Sequence, residues 1–203
     1  MATLVDILQK AEQLFFKFGI KSISMDDLSK EMRISKKTLY SFVANKEELV
    51  FLVIKNHLHE EKNKVDETVK QASNSIEEFV MILMYNYSQI NEMNASTLYD
   101  IQKYYPQSWD QFTEYKEKYI QVYILQNLQK GIKEGLYRSE LNPEIIALIY
   151  VNSIDTIFNI STEKFNKNDI GNMLREYVTY HLHGIVSDQG KEYLHNYLNK
   201  TNQ

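Results

Sequence analysis

The sequence predicts an all-α protein: an N-terminal three-helix helix-turn-helix domain followed by a larger helical bundle. Three observations carry this expectation. Chain breakers are scarce, with six Gly and two Pro in 203 residues, where average usage gives about three times as many. Apolar residues recur at the i, i+3, i+4, i+7 spacing of amphipathic helices through most of the chain. No segment alternates apolar and polar residues strongly enough to read as a strand. A sheet-rich fold needs many Gly- and Pro-bearing turns, which this composition does not supply.

The first predicted helix is 4–18, with Leu4, Ile7, Leu8, Ala11, Leu14, Phe15 and Phe18 on one face and Gly19 as its C-terminal cap. Ser24 with Asp27 three residues on has capping-box spacing and opens a two-turn helix over 24–32. Ser35 caps a second short helix over 36–42. Asn45, with Glu48 at the capping-box position, opens a longer one from Lys46 to about residue 72. Two short helices joined by a tight turn behind a buttressing helix form a helix-turn-helix. Such short helices need tertiary packing, here of Leu28, Met32, Ile34, Leu39 and Phe42 against Phe15, Phe18 and Leu49.

Charge is distributed unevenly. The net charge is −4, yet residues 21–46 hold six basic side chains (Lys21, Lys30, Arg33, Lys36, Lys37, Lys46) against three acidic ones. Positive charge at one end of an acidic molecule suits a small nucleic-acid-contacting module on a body of another function. A plain three-helix bundle fits the apolar spacing equally. What favours DNA is Lys36, Lys37 and Thr38 at the start of the second short helix, with Lys46 just beyond it.

The stretch Ser35-Lys36-Lys37-Thr38-Leu39-Tyr40, followed by Asn45-Lys46-Glu47-Glu48-Leu49, resembles the DNA-binding domain of the TetR (tetracycline repressor) family of bacterial transcriptional regulators. The likeness runs over 24–50 and weakly into 130–149 and 175–190. It implies a DNA-binding domain over 1–60, a ligand-binding and dimerisation domain over 61–203, and a palindromic double-stranded operator. It also implies roles for single residues. Ser24 would cap the first helix of the pair and offer its hydroxyl or N–H to a phosphate. Lys36, Lys37 and Thr38, capped by Ser35, would reach base edges or nearby phosphates, and Tyr40 and Lys46 would reach phosphates. Arg33 stands where the family usually has Gly. A left-handed backbone there costs about 1–2 kcal/mol, offset by a phosphate contact. Phe42-Val43 departs from the family's usual aromatic-Phe pair, so Phe42 is either core or a stacking contact on DNA.

Further helices are predicted over 75–93, 95–104, about 107–135, 143–161, 168–186 and a tail at 191–199, with Pro143 behind Asn142 a strong start signal. The segments 143–161 and 168–186 are apolar over much of their circumference and need cover on two sides. The resemblance implies that they form a homodimer interface. Fourteen of the 15 Tyr follow residue 60. Tyr85, Tyr99, Tyr104, Trp109, Phe112, Tyr119, Tyr123, Tyr150 and Phe158 are the candidate lining of a pocket for a small aromatic or apolar ligand.

Other chemistry finds little support. Zero Cys excludes disulfides and thiol nucleophiles. His57-x-His59 and His181-x-His183 have i, i+2 spacing and cannot share an ion on one helix. Glu192-x-x-His195 lacks the second motif of a di-iron bundle. No phosphate-binding Gly loop, nucleophile elbow or zinc motif is present. No run spans a bilayer, and the N-terminus lacks signal-peptide features. The expectation is a cytoplasmic, ligand-released homodimeric repressor with no cofactor and no membrane partner. A helical small-molecule-binding protein without sequence-specific DNA binding is the alternative, and an enzyme with an unrecognised site is a third.

Overall fold

The computed structural model describes residues 2–92, 94, 96–161 and 169–201. In chain order the helices are α1 (Leu4–Phe18), α2 (Met25–Glu31), α3 (Lys36–Tyr40), α4 (Lys46–Gln71), α5 (Ser75–Glu92), α6 (Ser96–Tyr104) and α7 (Pro106–Tyr115). A π-helical turn (Lys116–Ile120) follows, then α8 (Gln121–Lys133), α9 (Pro143–Ser161), α10 (Asp169–Ile185) and α11 (Asp188–Thr201). Among the described residues the one β-type pairing is an isolated antiparallel bridge, Tyr137 with Val186. Two compact units result: Met1–Lys62 with Asn91–Tyr115, and Asn63–Ile90 with Lys116–Gln203.

The first unit is built on local signals. Thr3 and Asp6 form a capping box at the start of α1, and Ser24 and Asp27 form another at α2. Gly19 (φ +84°) ends α1, its N–H donating to the Phe15 carbonyl. Ile7, Ala11, Phe15, Ile20, Leu28, Leu39, Leu49 and Val50 make the core. Phe18, expected in that core, is exposed beneath the Lys17 ammonium, because the chain turns at Gly19 and buries Ile20 instead. Helix α3 stops at Tyr40, two residues short of expectation. The Ser41 N–H and hydroxyl take the carbonyls of Lys37 and Thr38 and close the helix there.

Helix α6 brings residues 91–115 into this unit. Ile101 joins the core, Thr97 Oγ1 donates to the Phe15 carbonyl (3.1 Å), and the buried Asp100 carboxylate accepts the Lys21 N–H (3.0 Å). The Phe15 carbonyl in the last turn of α1 and the Lys21 N–H beyond the helix thereby gain partners from α6.

In the second unit, α5, α8, α9 and α10 enclose a core of Ile76, Phe79, Ile124, Leu128, Tyr150, Val151, Leu174, Val178 and Leu182. The segment expected as one helix over about 107–135 is interrupted. Pro106 starts α7 as a first-turn proline, and the π-helical turn adds a residue that rotates the following face. The Tyr137 ring lies on Gly131, where any Cβ would collide with it. Tyr137 Oη donates to the Ser75 carbonyl (3.1 Å) and Asn127 Oδ1 (3.0 Å), while Asn127 Nδ2 and Lys130 Nζ hold Glu78 at 2.9 and 2.8 Å. These bonds lock the start of α5 onto α8. Helix α11 begins earlier than the expected 191, because Ser187 Oγ accepts the Gly190 N–H.

Candidate functional site

The turn between α2 and α3 has the geometry of a Schellman motif. The Ile34 N–H donates to the Ser29 carbonyl and the Arg33 N–H to the Lys30 carbonyl, both at 3.0 Å. Arg33 occupies the left-handed position, with φ +54°, and is the one non-glycine with positive φ among the described residues. The backbone thus takes the conformation that favours glycine, while an exposed guanidinium leaves from the turn. Ser29 is buried, its hydroxyl donating to the Asp26 carbonyl within α2.

Ser35 caps α3 by accepting the Thr38 N–H at 3.0 Å, and the two hydroxyls meet at 2.8 Å. Leu39 is fully buried, which turns Lys36, Lys37 and Tyr40 outward and leaves Thr38 half-buried. Lys36 Nζ pairs with Asp26 Oδ2 at 2.6 Å, both side chains largely exposed. Such a pair contributes about 0–1 kcal/mol and is readily exchanged for a phosphate. Lys37 has no ion-pair partner among the described residues.

Three further DNA-contact candidates lie off this surface and are held internally. Ser24 gives both its N–H (2.9 Å) and its hydroxyl proton (2.5 Å) to Asp27 Oδ2, bonds that hold the Asp27 carboxyl below its usual range. Phe42 packs half-buried on the first unit's core. Lys46 Nζ donates to the Ile20 carbonyl at 2.6 Å, and desolvation lowers its ammonium pKa. The remaining six, Arg33, Ser35, Lys36, Lys37, Thr38 and Tyr40, form one polar surface on α3 and the turn before it.

The nine candidate ligand residues divide between the units. Tyr99, Tyr104, Trp109 and Phe112 belong to the first. Tyr99 and Tyr104 are exposed, with Lys21 Nζ 4.1 Å from the Tyr104 ring centre and Lys103 Nζ bonded to Tyr99 Oη, while Trp109 stacks on Phe112 at 5.4 Å. Tyr85, Tyr119, Tyr123 and Tyr150 belong to the second. Tyr85 is half-buried, and Tyr119 Oη donates to Asp66 Oδ1 at 2.8 Å. The Phe158 side chain lies outside the described residues.

Around Tyr150 the structure gathers three rings that sequence reasoning did not assign to a site. His181 stacks on Phe79 at 5.7 Å and meets Tyr150 edge-on at 4.7 Å, and Tyr177 lies 5.6 Å from Tyr150. Burial pushes His181 down to about 4. In the sequence, Tyr177 and His181 read only as part of the apolar stripe of α10, with no local motif to distinguish them. Among the described residues no three His, Asp or Glu side chains form a metal-holding group, and no helix is long and apolar enough to cross a membrane.

Residues 7–53, which run from within α1 into the first third of α4, match the family model for bacterial regulatory proteins of the tetR family. The chain thus carries a TetR-family N-terminal domain over these residues. It is 26% identical over 175 residues to the HTH-type transcriptional regulator YvaF of Bacillus subtilis (strain 168), covering 83% of this chain and 88% of that one. A transcriptional regulator from Cytophaga hutchinsonii ATCC 33406 matches with a TM-score of 0.73 at 16% identity, over 91% of this chain and 98% of that one. A TetR-family transcriptional regulator from Agrobacterium tumefaciens gives 0.69 at 17% identity, over 91% and 97%. At those identities the two structures establish the fold. The TetR-family domain and the curated relatives support a DNA-binding transcriptional regulator rather than an enzyme.

Proposed function

We propose that this TetR-family regulator is a cytoplasmic homodimeric repressor that binds a palindromic operator and is released by a small, largely apolar ligand held in its second unit. The observation that carries the DNA half of this reading is α3. Its buried Leu39 turns Lys36, Lys37 and Tyr40 to solvent, beside the exposed Arg33. That is the disposition of a recognition helix whose outward side chains reach base edges and phosphates.

The dimer half rests on α9 and α10. Ile145, Leu148 and Ile149 are 50–54% exposed on α9, and Tyr180 is 79% exposed on α10. A groove of about 650 Å³ lined by Thr156, Ile157, Asn172 and Met173 runs along the same two helices. An exposed apolar surface of this kind is covered when a second copy supplies the same two helices. Residue 168, the first of the expected interface segment 168–186, lies outside the described residues.

A twofold dimer carries two recognition helices about 34–36 Å apart, one helical turn of DNA. A ligand that binds more tightly to a conformation with different spacing lowers DNA affinity by its differential affinity for the two states. The test is selection of bound fragments from the source genome with purified protein at two salt concentrations. Recovery of one palindromic site is the expected result. Background recovery at low salt would overturn the DNA reading and favour a small-molecule-binding protein without sequence-specific DNA binding.

A further inference from the structure

Tyr99 and Tyr104, expected in a ligand pocket, instead carry two lysines on the surface of the first unit. Lys21 Nζ lies 4.1 Å and Lys103 Nζ 5.5 Å from the Tyr104 ring centre. Lys103 Nζ also donates to Tyr99 Oη at 2.6 Å, and the two rings meet edge-on at 6.4 Å. All four side chains are exposed. Neither ammonium has a carboxylate ion-pair partner among the described residues. The Lys21 ammonium, with Lys103 beside it, holds the Tyr104 hydroxyl below its usual range.

The two lysines come from separate elements that are fixed to each other. Lys21 lies between α1 and α2, and its N–H donates to the buried Asp100 carboxylate of α6 at 3.0 Å. Lys103 stands three residues further along the same helix. The Thr97 hydroxyl and the Asn94 N–H hold the start of α6 on the Phe15 and Phe16 carbonyls. The patch also adjoins the elements that flank α3. Ile20, next to Lys21, accepts Lys46 Nζ from the start of α4 at 2.6 Å, and Ser24, three residues on, caps α2. Three extended residues span at most about 11 Å, so Lys21 is no further than that from the start of α2. In a helix-turn-helix this first helix crosses the DNA backbone while the second enters the groove. The nearby acids are engaged: Asp27 accepts the Ser24 N–H and hydroxyl, and Asp100 accepts the Lys21 N–H.

We propose that Lys21 and Lys103, steadied on the Tyr99 and Tyr104 rings, grip the sugar-phosphate backbone of double-stranded DNA beyond the groove that α3 enters. This rests on the operator-binding reading above and carries part of the interface onto α6, outside the matched residues 7–53. The two ammonium groups share one ring and lie less than about 10 Å apart, within one Debye length at about 0.1 M salt. Their charges therefore act together on one stretch of strand. A neutral ring fixes the direction of an ammonium without cancelling its charge. A carboxylate would cancel it. Two ammonium groups left in this state attract a polyanion. DNA is favoured over an acidic protein because the patch continues the basic run 21–46 beside α2. Contacts of this kind set affinity and register and carry no base information.

The experiment titrates a random-sequence DNA duplex of about four helical turns with the full chain over a series of salt concentrations. Wild type is compared with Lys21→Gln, Lys103→Gln and the double variant, which keep most of each stem and lose only the charge. Lys37→Ala on α3 and Lys133→Ala, an exposed lysine of the second unit, serve as references. The double variant is expected to lower the slope of log affinity against log salt by about 0.9–1.8 per bound subunit, the release that attends one or two phosphates. Each single variant loses part of that. Lys37→Ala loses about 0.9, and Lys133→Ala keeps the wild-type slope. Melting temperatures of the glutamine variants stay within about 2 °C of wild type, the scale of exposed substitutions. A wild-type slope in the double variant, beside a reduced slope in Lys37→Ala, would overturn the backbone grip and leave the α3 face standing. An equal loss in Lys133→Ala would also overturn it, by showing that net charge alone sets the slope. Wild type that binds no duplex at low salt would reject the operator-binding reading and this contact together.

Discussion

Lys46 Nζ donates to the Ile20 carbonyl oxygen at 2.6 Å, bolting the first residue of α4 to the segment between α1 and α2. The ammonium also lies 6.0 Å from the Phe15 ring centre. Family resemblance assigns this lysine to a DNA phosphate, whereas the structure gives it a partner within its own unit.

The two roles separate by measurement. Lys46→Ala removes a charge-assisted hydrogen bond to a carbonyl and is expected to lower stability by about 1.5–3 kcal/mol, weakening DNA binding by misplacing α3. Lys37→Ala, at an exposed position, is expected to leave stability within about 0.5 kcal/mol and to reduce the salt slope of DNA binding by about one unit. Denaturant titration and salt-dependent DNA titration of both variants check this. A full unit of slope lost in Lys46→Ala at unchanged stability would restore the phosphate role.

Arg33 separates backbone strain from charge in the same way. Its left-handed conformation costs about 1–2 kcal/mol for a residue with a Cβ, while Gly loses about 0.4–1 kcal/mol more on folding through its freer unfolded chain. Arg33→Gly is therefore expected to raise stability by up to about 1.6 kcal/mol and to weaken DNA binding with a shallower salt slope. Arg33→Ala keeps the strain and loses the same DNA contact. Equal DNA affinity in wild type and both variants would remove Arg33 from the interface.

Much of this was legible because it is local. The caps at Ser24, Ser35, Asn45 and Asn142 are each one side chain meeting an N–H within three residues, and the structure has all four. The positive φ at Arg33 was likewise readable from a turn that usually holds Gly. What sequence spacing does not carry is long-range. Thr97 and Asp100 satisfy backbone atoms of Phe15 and Lys21, about 80 residues away in sequence, and so draw α6 into the first unit. Nothing in the local pattern of 95–104 announces that. The π-helical turn at Lys116–Ile120 is similar, since one inserted residue changes which tyrosines share a face without altering composition. His181 was hidden because a neutral buried imidazole occupies a helix stripe just as an apolar residue does.

His181 makes stability depend on pH in a definite direction. Its folded value is depressed from 6.5 to about 4 by desolvation, with Phe79, Tyr150 and Tyr177 around the ring. Between those values the unfolded chain binds the proton that the folded chain excludes. The neutral imidazole's contribution is therefore complete above pH 6.5 and is lost progressively as pH falls towards about 4. The full loss is about 3 kcal/mol for this one group. Chemical denaturation across that window, wild type against His181→Phe, isolates it, because other groups contribute to both curves. The variant is expected to lose less stability on acidification, and parallel curves would mean that the imidazole reaches solvent.

The apolar surface of α9 supplies the last test. Ile149 is 53% exposed within one chain, so in a monomer its replacement by Glu disturbs no core and shifts stability by less than about 0.5 kcal/mol. In a twofold dimer the same position is buried against the partner, and symmetry introduces the unpaired charge twice. A stable interface buries on the order of 1,600 Å² with an apolar centre, and charges placed there dissociate it. Ile149→Glu is therefore expected to sediment as a folded monomer with wild-type helicity. It should lose operator affinity steeply, because one recognition helix reads only half of a palindrome. Ile149→Ala separates charge from shape by keeping the dimer at a weaker constant. Sedimentation of wild type and Ile149→Glu as the same species would show that something other than a second copy covers this face.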